Sequence, residues 1–173
     1  SQTVAANTTY AFSFTITNPS TAQNDATVTI AASGTASFPT SLGVMTTDTA
    51  NIYGVTNGGK PVRVIEQAFS TKAIGQSSPL AGVTVRISVT LTANSDFPAG
   101  STVTITGLTG TQTGNDGSHP VTSAGGLLGT TGAWTQSGGQ LVLTAAGGGI
   151  AQGASCNVTF VLYNPDSAQS SPT

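Results

Sequence analysis

The sequence contains very few charged residues. Only 6% of its 173 residues are charged, against roughly a quarter in an average soluble domain. The basic residues Lys60, Arg63, Lys72 and Arg86 are scattered and the net charge is −2, which argues against binding to nucleic acid or to an acidic membrane surface. Hydroxyls, amides or attached glycans must therefore keep the surface hydrated, and this composition favours an extracellular or cell-surface location.

Cysteine and long apolar runs are also scarce. Cys156 is the only cysteine, which excludes a disulfide within the chain. It lies among alternating apolar residues, so we interpret it as a small buried side chain, with an intermolecular disulfide as the less favoured alternative. No apolar run is long enough to span a membrane, and we expect no membrane insertion of this segment.

Recognisable catalytic and metal-binding motifs are missing. Asp116 and His119 could meet a metal ion, but the other carboxylates, histidines or cysteines that a calcium or zinc site needs are not available. We interpret Asp116 as a turn residue in front of Gly117. No nucleophile elbow, phosphate-binding glycine loop or paired glycosidase carboxylates are present, so we expect no metal, no cofactor and no enzymatic activity.

Aromatic residues make up only 6% of the chain. Trp134, Tyr53 and Phe69 could line a sugar-binding face, as aromatic platforms do in carbohydrate-binding modules. So few aromatic residues are more often used in the core, which is the interpretation we favour.

A motif near the start of the chain returns at its end. Residues 12–27, FSFTITNPSTAQNDAT, align without a gap with residues 158–173, VTFVLYNPDSAQSSPT. A third copy, ISVTLTANSDFPAGSTVTI, covers residues 87–105, and its TVTI matches residues 27–30. Internal repeats indicate arrays, which are more often scaffolds than catalysts. We expect a portion of a longer repeating protein.

Each copy starts with strict alternation of apolar and polar residues. This pattern predicts half-buried strands at residues 10–17, 85–92 and 154–163, with threonine and serine facing outward. Second strands are expected at 26–32 and 101–106. Further predictions are strands at 42–46 and 61–66, a hairpin of 133–135 with 140–145, a short helical turn within 64–74, and glycine-rich loops at 107–129 and 145–153.

Many short strands predict an all-β fold, here an antiparallel β-sandwich of immunoglobulin-like or jelly-roll-like type built from two related half-repeats. Each half could form its own small sandwich, or both halves could form one larger sandwich. The unequal lengths of the two halves favour the single larger sandwich. The predicted units are residues 1–80, residues 81–150, and residues 151–173 as the start of the next repeat.

The last copy carries an apolar strand face made of Cys156, Val158, Phe160 and Leu162. We expect the first two copies to bury the same face against the residues that follow them, whereas the last copy has no following domain. A lone amphipathic strand is not stable in water, so it must add to a sheet in its own chain or in a neighbour. We therefore predict a linking strand that joins units into a string or fibre.

Two sequons, at Asn7 and Asn157, are candidate sites of N-glycosylation. Thr40 and Thr173 each follow a proline and are candidate sites of O-glycosylation. Several Thr-x-Thr pairs resemble the threonine arrays of ice-binding proteins, but ordinary strand propensity explains them more simply.

Three segments carry a resemblance to a known class of repeats: FPAGSTVTITGLTGTQT (residues 97–113), GLLGTTGAWTQSGGQLVLTAAGGGIAQGASCNVTFVLYNPDSAQSSPT (126–173) and FSFTITNPSTAQ (12–23). They resemble tandem repeats in very long, Thr-rich predicted extracellular proteins of microalgae and related protists. The resemblance implies a secreted, glycosylated β-sandwich array, and it carries no functional site.

The function we expect is a structural repeat module of an extracellular glycoprotein filament or cell-surface fibre. Its partners would be copies of itself and attached glycans, with units joined by strand complementation or head-to-tail stacking. The alternative is an adhesin-like module that recognises glycans or, with less support, ice through its Thr-rich strand faces.

Overall fold

The computed structural model describes residues 5–33 and 43–170. The described residues form short strands and one 3-10 turn, at Ala124–Gly126, which confirms the predicted all-β class. The strands are β1 (Thr29–Ile30), β2 (Gly43–Val44), β3 (Phe69–Gln76), β4 (Thr84–Ala93), β5 (Thr102–Ile105), β6 (Asp116–Ser123), β7 (Thr131–Thr135), β8 (Gln140–Thr144) and β9 (Ser155–Tyr163).

Seven strands form one antiparallel sheet in the order β3-β4-β9-β6-β7-β8-β5, with β3 and β5 at its edges. Strand β6 pairs with β7 through its first half and with β9 through its second half, from Val121 to Ser123. The sheet curls on itself, because the inner side chains of β4 and β9 belong to the same core as those of β7 and β8. Strands β1 and β2 form a separate two-stranded sheet.

Among the described residues, the buried core side chains come from Val85 onward in the chain, and Phe69 and Val83 pack against them. Strand β4 buries every second residue from Val85 to Ala93, as period-two alternation requires of a strand with one buried face. Trp134 and Phe160 are the largest fully buried side chains. None of the described residues before Val85 is buried.

Polar contacts, rather than a core, hold the N-terminal part together. Gln23 and Val64 form an isolated bridge, and the carboxylate of Asp25 lies 2.9 Å from Nζ of Lys60 and 3.4 Å from Nη1 of Arg63. The backbone N–H of Asp96 donates a hydrogen bond to the carbonyl of Tyr53, which ties this part to the large sheet.

Strand prediction succeeded where alternation and a partner strand coincide. The predicted strands at 85–92, 101–106 and 154–163 correspond to β4, β5 and β9, and the predicted hairpin is β7 with β8. The strands expected at 26–32 and 42–46 are present only as the two-residue strands β1 and β2. Residue 42 lies outside the described residues.

Four predictions were wrong, either because a pairing strand is missing or because one is present where none was expected. Residues 10–17 form no strand, because no other strand pairs with them in the described chain, and residues 61–66 form only the bridge at Val64. The expected helical turn is overridden by β3, which pairs with β4 from residue 69 onward. The expected loop at 107–129 contains β6, which lies between β9 and β7.

The predicted boundary at residues 80 and 81 falls in the turn between β3 and β4, whose strands pair across it. The predicted third unit, residues 151–173, contributes β9 to the middle of the large sheet. Whether this curled sheet is best described as an immunoglobulin-like or a jelly-roll-like sandwich stays a prediction.

Candidate functional site

Two aligned segments of the chain have opposite surroundings. We call them the N-terminal copy (residues 8–24) and the C-terminal copy (residues 154–170). In the C-terminal copy, β9 pairs with β4 along its whole length and with β6 at three positions. The four predicted linking residues point into the core and are at most 4% exposed: Cys156, Val158, Phe160 and Leu162. The last copy therefore buries its apolar face within its own chain.

The Asn-Pro pair that follows β9 is fastened to the turn between β3 and β4. Nδ2 of Asn164 donates hydrogen bonds to the carbonyls of Leu80, at 2.8 Å, and Ser78, at 3.3 Å. The N–H of Gly82 donates to the carbonyl of Pro165 at 2.8 Å. These bonds hold the Asn-Pro pair against the turn that joins β3 and β4.

The N-terminal copy has the same pattern but no such partners. Its apolar side chains are exposed by half or more: Tyr10 55%, Phe12 78%, Phe14 77% and Ile16 54%. Asn18, which aligns with Asn164, makes no side-chain hydrogen bond to any described residue. The expectation that the first copy buries its face against following residues was wrong, because β4, β6 and β9 are already paired with one another.

The two copies also differ in size at their first two inward positions. Tyr10 and Phe12 align with Cys156 and Val158, both of which are fully buried. Cores are close-packed, so inserting the larger side chains into this slot would overpack it. A slot that accepts the N-terminal copy must therefore have more room at these two positions than the slot of β9.

Cys156 is fully buried beside Leu91, its register partner in β4. Burial raises the pKa of the Cys156 thiol, because the thiolate would lose its hydration. The prediction of a small buried side chain is confirmed, and the neutral thiol is a poor nucleophile.

The two sequons lie on exposed backbone. Asn157 is on the outer face of β9, and its Oδ1 accepts a hydrogen bond from Oγ1 of Thr90 at 2.7 Å. Asn7 is exposed and lies in a turn with φ of 58°. Both asparagines are exposed, whereas Thr40 and Thr173 lie outside the described residues. Glycosylation stays a prediction at all four.

His119 forms part of the wall of the core, whereas the side chain of Asp116 is 44% exposed. Nε2 of His119 is 2.9 Å from the carbonyl of Val161, and its ring packs against Trp134 and Phe160. Oδ1 of Asp116 accepts from the N–H of Ser118, a local turn contact. No group of three or more metal-ligating side chains occurs among the described residues.

Trp134, Tyr53 and Phe69 do not form a common exposed face. Trp134 is buried, and its Nε1 donates to the carbonyl of Thr113 at 3.0 Å. Phe69 packs against Phe97 with ring centroids 5.7 Å apart, and only Tyr53 is exposed. The core interpretation is confirmed for Trp134 and for Phe69, which packs against the core, and it was wrong for Tyr53, which is 62% exposed.

A cleft of about 580 Å³, missed at the sequence level, opens between the two edges of the large sheet. Its walls include Gln76 of β3, Leu108 after β5, and Asn164 and Gln169 from the segment that follows β9. The sheet edges come together here only because the sheet curls. The one sequence signal for this place is the repeated Asn-Pro motif, whose second copy runs along the cleft.

In comparisons with known proteins, no family model, no curated protein and no solved structure matches this chain. In the part of the chain that the structure describes, no helix is long and apolar enough to cross a membrane.

Proposed function

We propose that this chain is a structural repeat module of an extracellular glycoprotein filament or cell-surface fibre, with units joined by strand complementation. One observation carries the proposal: the N-terminal copy exposes the apolar face that its aligned C-terminal copy buries. Exposed contiguous apolar surface of this kind marks an interaction site. The N-terminal copy is therefore the donor strand, and a neighbouring unit is the acceptor.

The C-terminal copy illustrates what a donor strand gains. Strand β9 has a paired strand on each side, so its backbone N–H and C=O groups are hydrogen-bonded along both edges where β6 overlaps it. Strand addition of this kind supplies affinity through the main chain and specificity through alternate side chains. In the same position of an acceptor, Phe14 would take the place that Phe160 takes beside Ile87 and Val121.

The acceptor is a related β unit, and its slot for the donor strand is not identical to the slot that β9 fills in this chain. Tyr10 and Phe12 need more room than Cys156 and Val158 occupy, and the slot of this chain is filled by its own β9. Fit at these two positions would let one unit select its neighbour, because overpacked side chains disfavour the wrong pairing.

The surface supports an extracellular setting. The chain has 6% charged residues, and the outer faces of β4 and β9 carry mainly hydroxyl and amide groups, including Asn157 in its sequon. Attached glycans would hydrate such a surface without adding charge, and they would leave the strand edges free to pair at the joint.

A two-unit chain tests the joint directly. Residues 1–153 are followed at once by residues 8–170, so that the second unit's N-terminal copy replaces the first unit's C-terminal copy. Tyr10→Cys and Phe12→Val in the joint match its inward side chains to the first unit's slot. We expect the joint to be protected in hydrogen exchange, and small-angle scattering to show two folded units in line.

Phe14→Asp in the joint is the matched control. It should unfold the first unit, because a charge cannot be buried unpaired, while the second unit keeps its own β9 and stays folded. A joint that exchanges freely, with the first unit unfolded despite the adapted side chains, would refute strand complementation.

A glycan-binding module is the second candidate, and the cleft between the sheet edges favours it. Amide side chains such as Gln76 and Gln169 line this cleft and can hydrogen-bond sugar hydroxyls. Binding on a glycan array that is lost in a Gln76→Ala variant would support recognition over a purely structural role.

A further inference from the structure

Strand β3 is the longer of the two edges of the large sheet. It runs from Phe69 to Gln76 and pairs on one side with β4, and no other described strand pairs with its second side. The other edge strand, β5, has only four residues. Apart from Phe69, every residue of β3 is exposed. A long exposed edge offers backbone N–H and C=O groups to any other strand, so β3 is the place where two such sheets would join side by side.

Lys72 lies on the inner face of this edge and is the only charged residue of β3. Its register partner in β4 is Leu91, which is 6% exposed and belongs to the core, and directly paired residues share one face of a sheet. Ile74 lies on the same face, opposite Val89. Lys72 stays exposed, because in the described chain no strand continues the sheet beyond β3. It forms no salt bridge with any described residue.

Pairing of two copies of the chain through β3 would bring this charge into the junction. Two edge strands that pair in antiparallel orientation keep their inner faces on the same side, so a junction that uses most of β3 places Lys72 opposite Lys72 or Ile74 of the second copy. The first register sets two ammonium groups side by side, which is destabilising. The second register sets each ammonium group against an apolar side chain and takes part of its hydration away, which is also costly.

We propose that Lys72 keeps the β3 edge closed to other copies of this chain. Charges that point inward on edge strands are one way in which β proteins avoid edge-to-edge aggregation. The partner that Lys72 excludes is the β3 edge of a second copy, so units do not join sideways into a continuous sheet. The proposal is independent of strand complementation, because it concerns β3 and makes no use of the N-terminal copy.

Three variants of the full chain test this role. Lys72→Val puts an apolar residue on the inner face of the edge, and Lys72→Glu keeps a charge there. Arg86→Val is the matched control, because it removes one positive charge and adds the same apolar side chain on the outer face of β4, away from any edge. Both positions are exposed, so the variants should fold. In sedimentation velocity, we expect Lys72→Val to lower the protein concentration at which dimers form at least about tenfold, and Lys72→Glu and Arg86→Val to leave it unchanged.

Hydrogen exchange locates the junction. In Lys72→Val, amides of β3 should become protected at concentrations where dimers form, while exchange in the buried strand β9 stays the same. Equal self-association of Lys72→Val and Arg86→Val would overturn the proposal, because added apolar surface alone would then be responsible. Self-association of Lys72→Glu to the same extent as Lys72→Val would overturn it as well. So would a monomeric Lys72→Val with unprotected β3 amides, because the edge would then be closed by something other than the charge.

Discussion

The N-terminal and C-terminal copies share an alternating pattern, a central phenylalanine and an Asn-Pro pair, yet their environments are opposite. Phe14 is 77% exposed, whereas Phe160 is 2% exposed. Strand β9 lies between two paired strands, and residues 10–17 pair with none in the described chain. Alternation determines which face of a segment is apolar, but a strand forms only where its backbone groups find partners.

The largest difference should appear when the central phenylalanine is removed. Phe160→Ala should lower the free energy of unfolding by about 3–5 kcal/mol, because it leaves a cavity in the core. Phe14→Ala should change it by about 0.5 kcal/mol or less, because the side chain is exposed. Urea unfolding followed by Trp134 fluorescence measures both, and similar losses would show that the N-terminal copy is packed in the single chain.

Thiol labelling can compare the first apolar positions of the two copies, Tyr10 and Cys156. Cys156 should react with a thiol reagent roughly a hundred-fold more slowly than Tyr10→Cys in a Cys156→Ala background, since labelling Cys156 requires local opening. Labelling rates at neutral pH test this, and comparable rates would contradict the burial of β9.

The pH dependence of Cys156 has a definite sign. Its pKa is raised in the folded chain by burial, so the stabilising effect of the neutral thiol is complete below its unfolded pKa of about 8.5. That stabilisation is lost as the pH rises from there through the folded pKa. Cys156→Ala should remove this alkaline dependence, which unfolding curves at several pH values would show.

The Asn-Pro pairs should give a smaller difference. Asn164→Ala removes the hydrogen bonds to Leu80 and Ser78 and should cost about 1–2 kcal/mol of unfolding free energy. Asn18→Ala should leave the unfolding free energy unchanged. Equal losses would mean that Asn18 is held by a partner in the single chain.

The smallest effect concerns the polar contacts of the N-terminal part. The hydrogen bond from Lys60 is the main cause that lowers the pKa of Asp25. The ionised carboxylate therefore supports these contacts above its unfolded pKa of about 3.9, and the support is lost as the pH falls through the lowered folded value. Asp25→Asn should speed amide exchange at Gln23 and Val64 without changing the unfolding of the large sheet.

Sequence patterns located most of the large sheet but not all of it. Strands β4, β5, β8 and β9 were predictable because they alternate strictly and end at turn residues. Strand β6 contains Gly117 and Pro120, which interrupt any strand pattern, and it forms because β7 and β9 pair on either side. Strand β3 is almost wholly exposed at a sheet edge and so has no apolar face to recognise.

The sequence predicted a linking strand, but it did not correctly indicate which copy of the repeat would be left without partner strands. The repeat showed that an amphipathic strand would lack a partner, and it pointed to the C-terminal copy. In the described chain it is instead residues 10–17 of the N-terminal copy that pair with no strand. The repeated Asn-Pro pair marked both copies, but the hydrogen bonds of Asn164 reach residues far away in the chain, which a local pattern does not encode.

The sequence by itself determined the all-β class, the apolar face of each copy and the burial of Cys156, because these follow from local alternation and side-chain polarity. Only the tertiary structure decided which copy is enclosed. Enclosure requires two neighbouring strands, and β4 and β6, which come from distant parts of the chain, admit a single strand between them. The C-terminal copy occupies that place, and the N-terminal copy keeps its apolar face exposed.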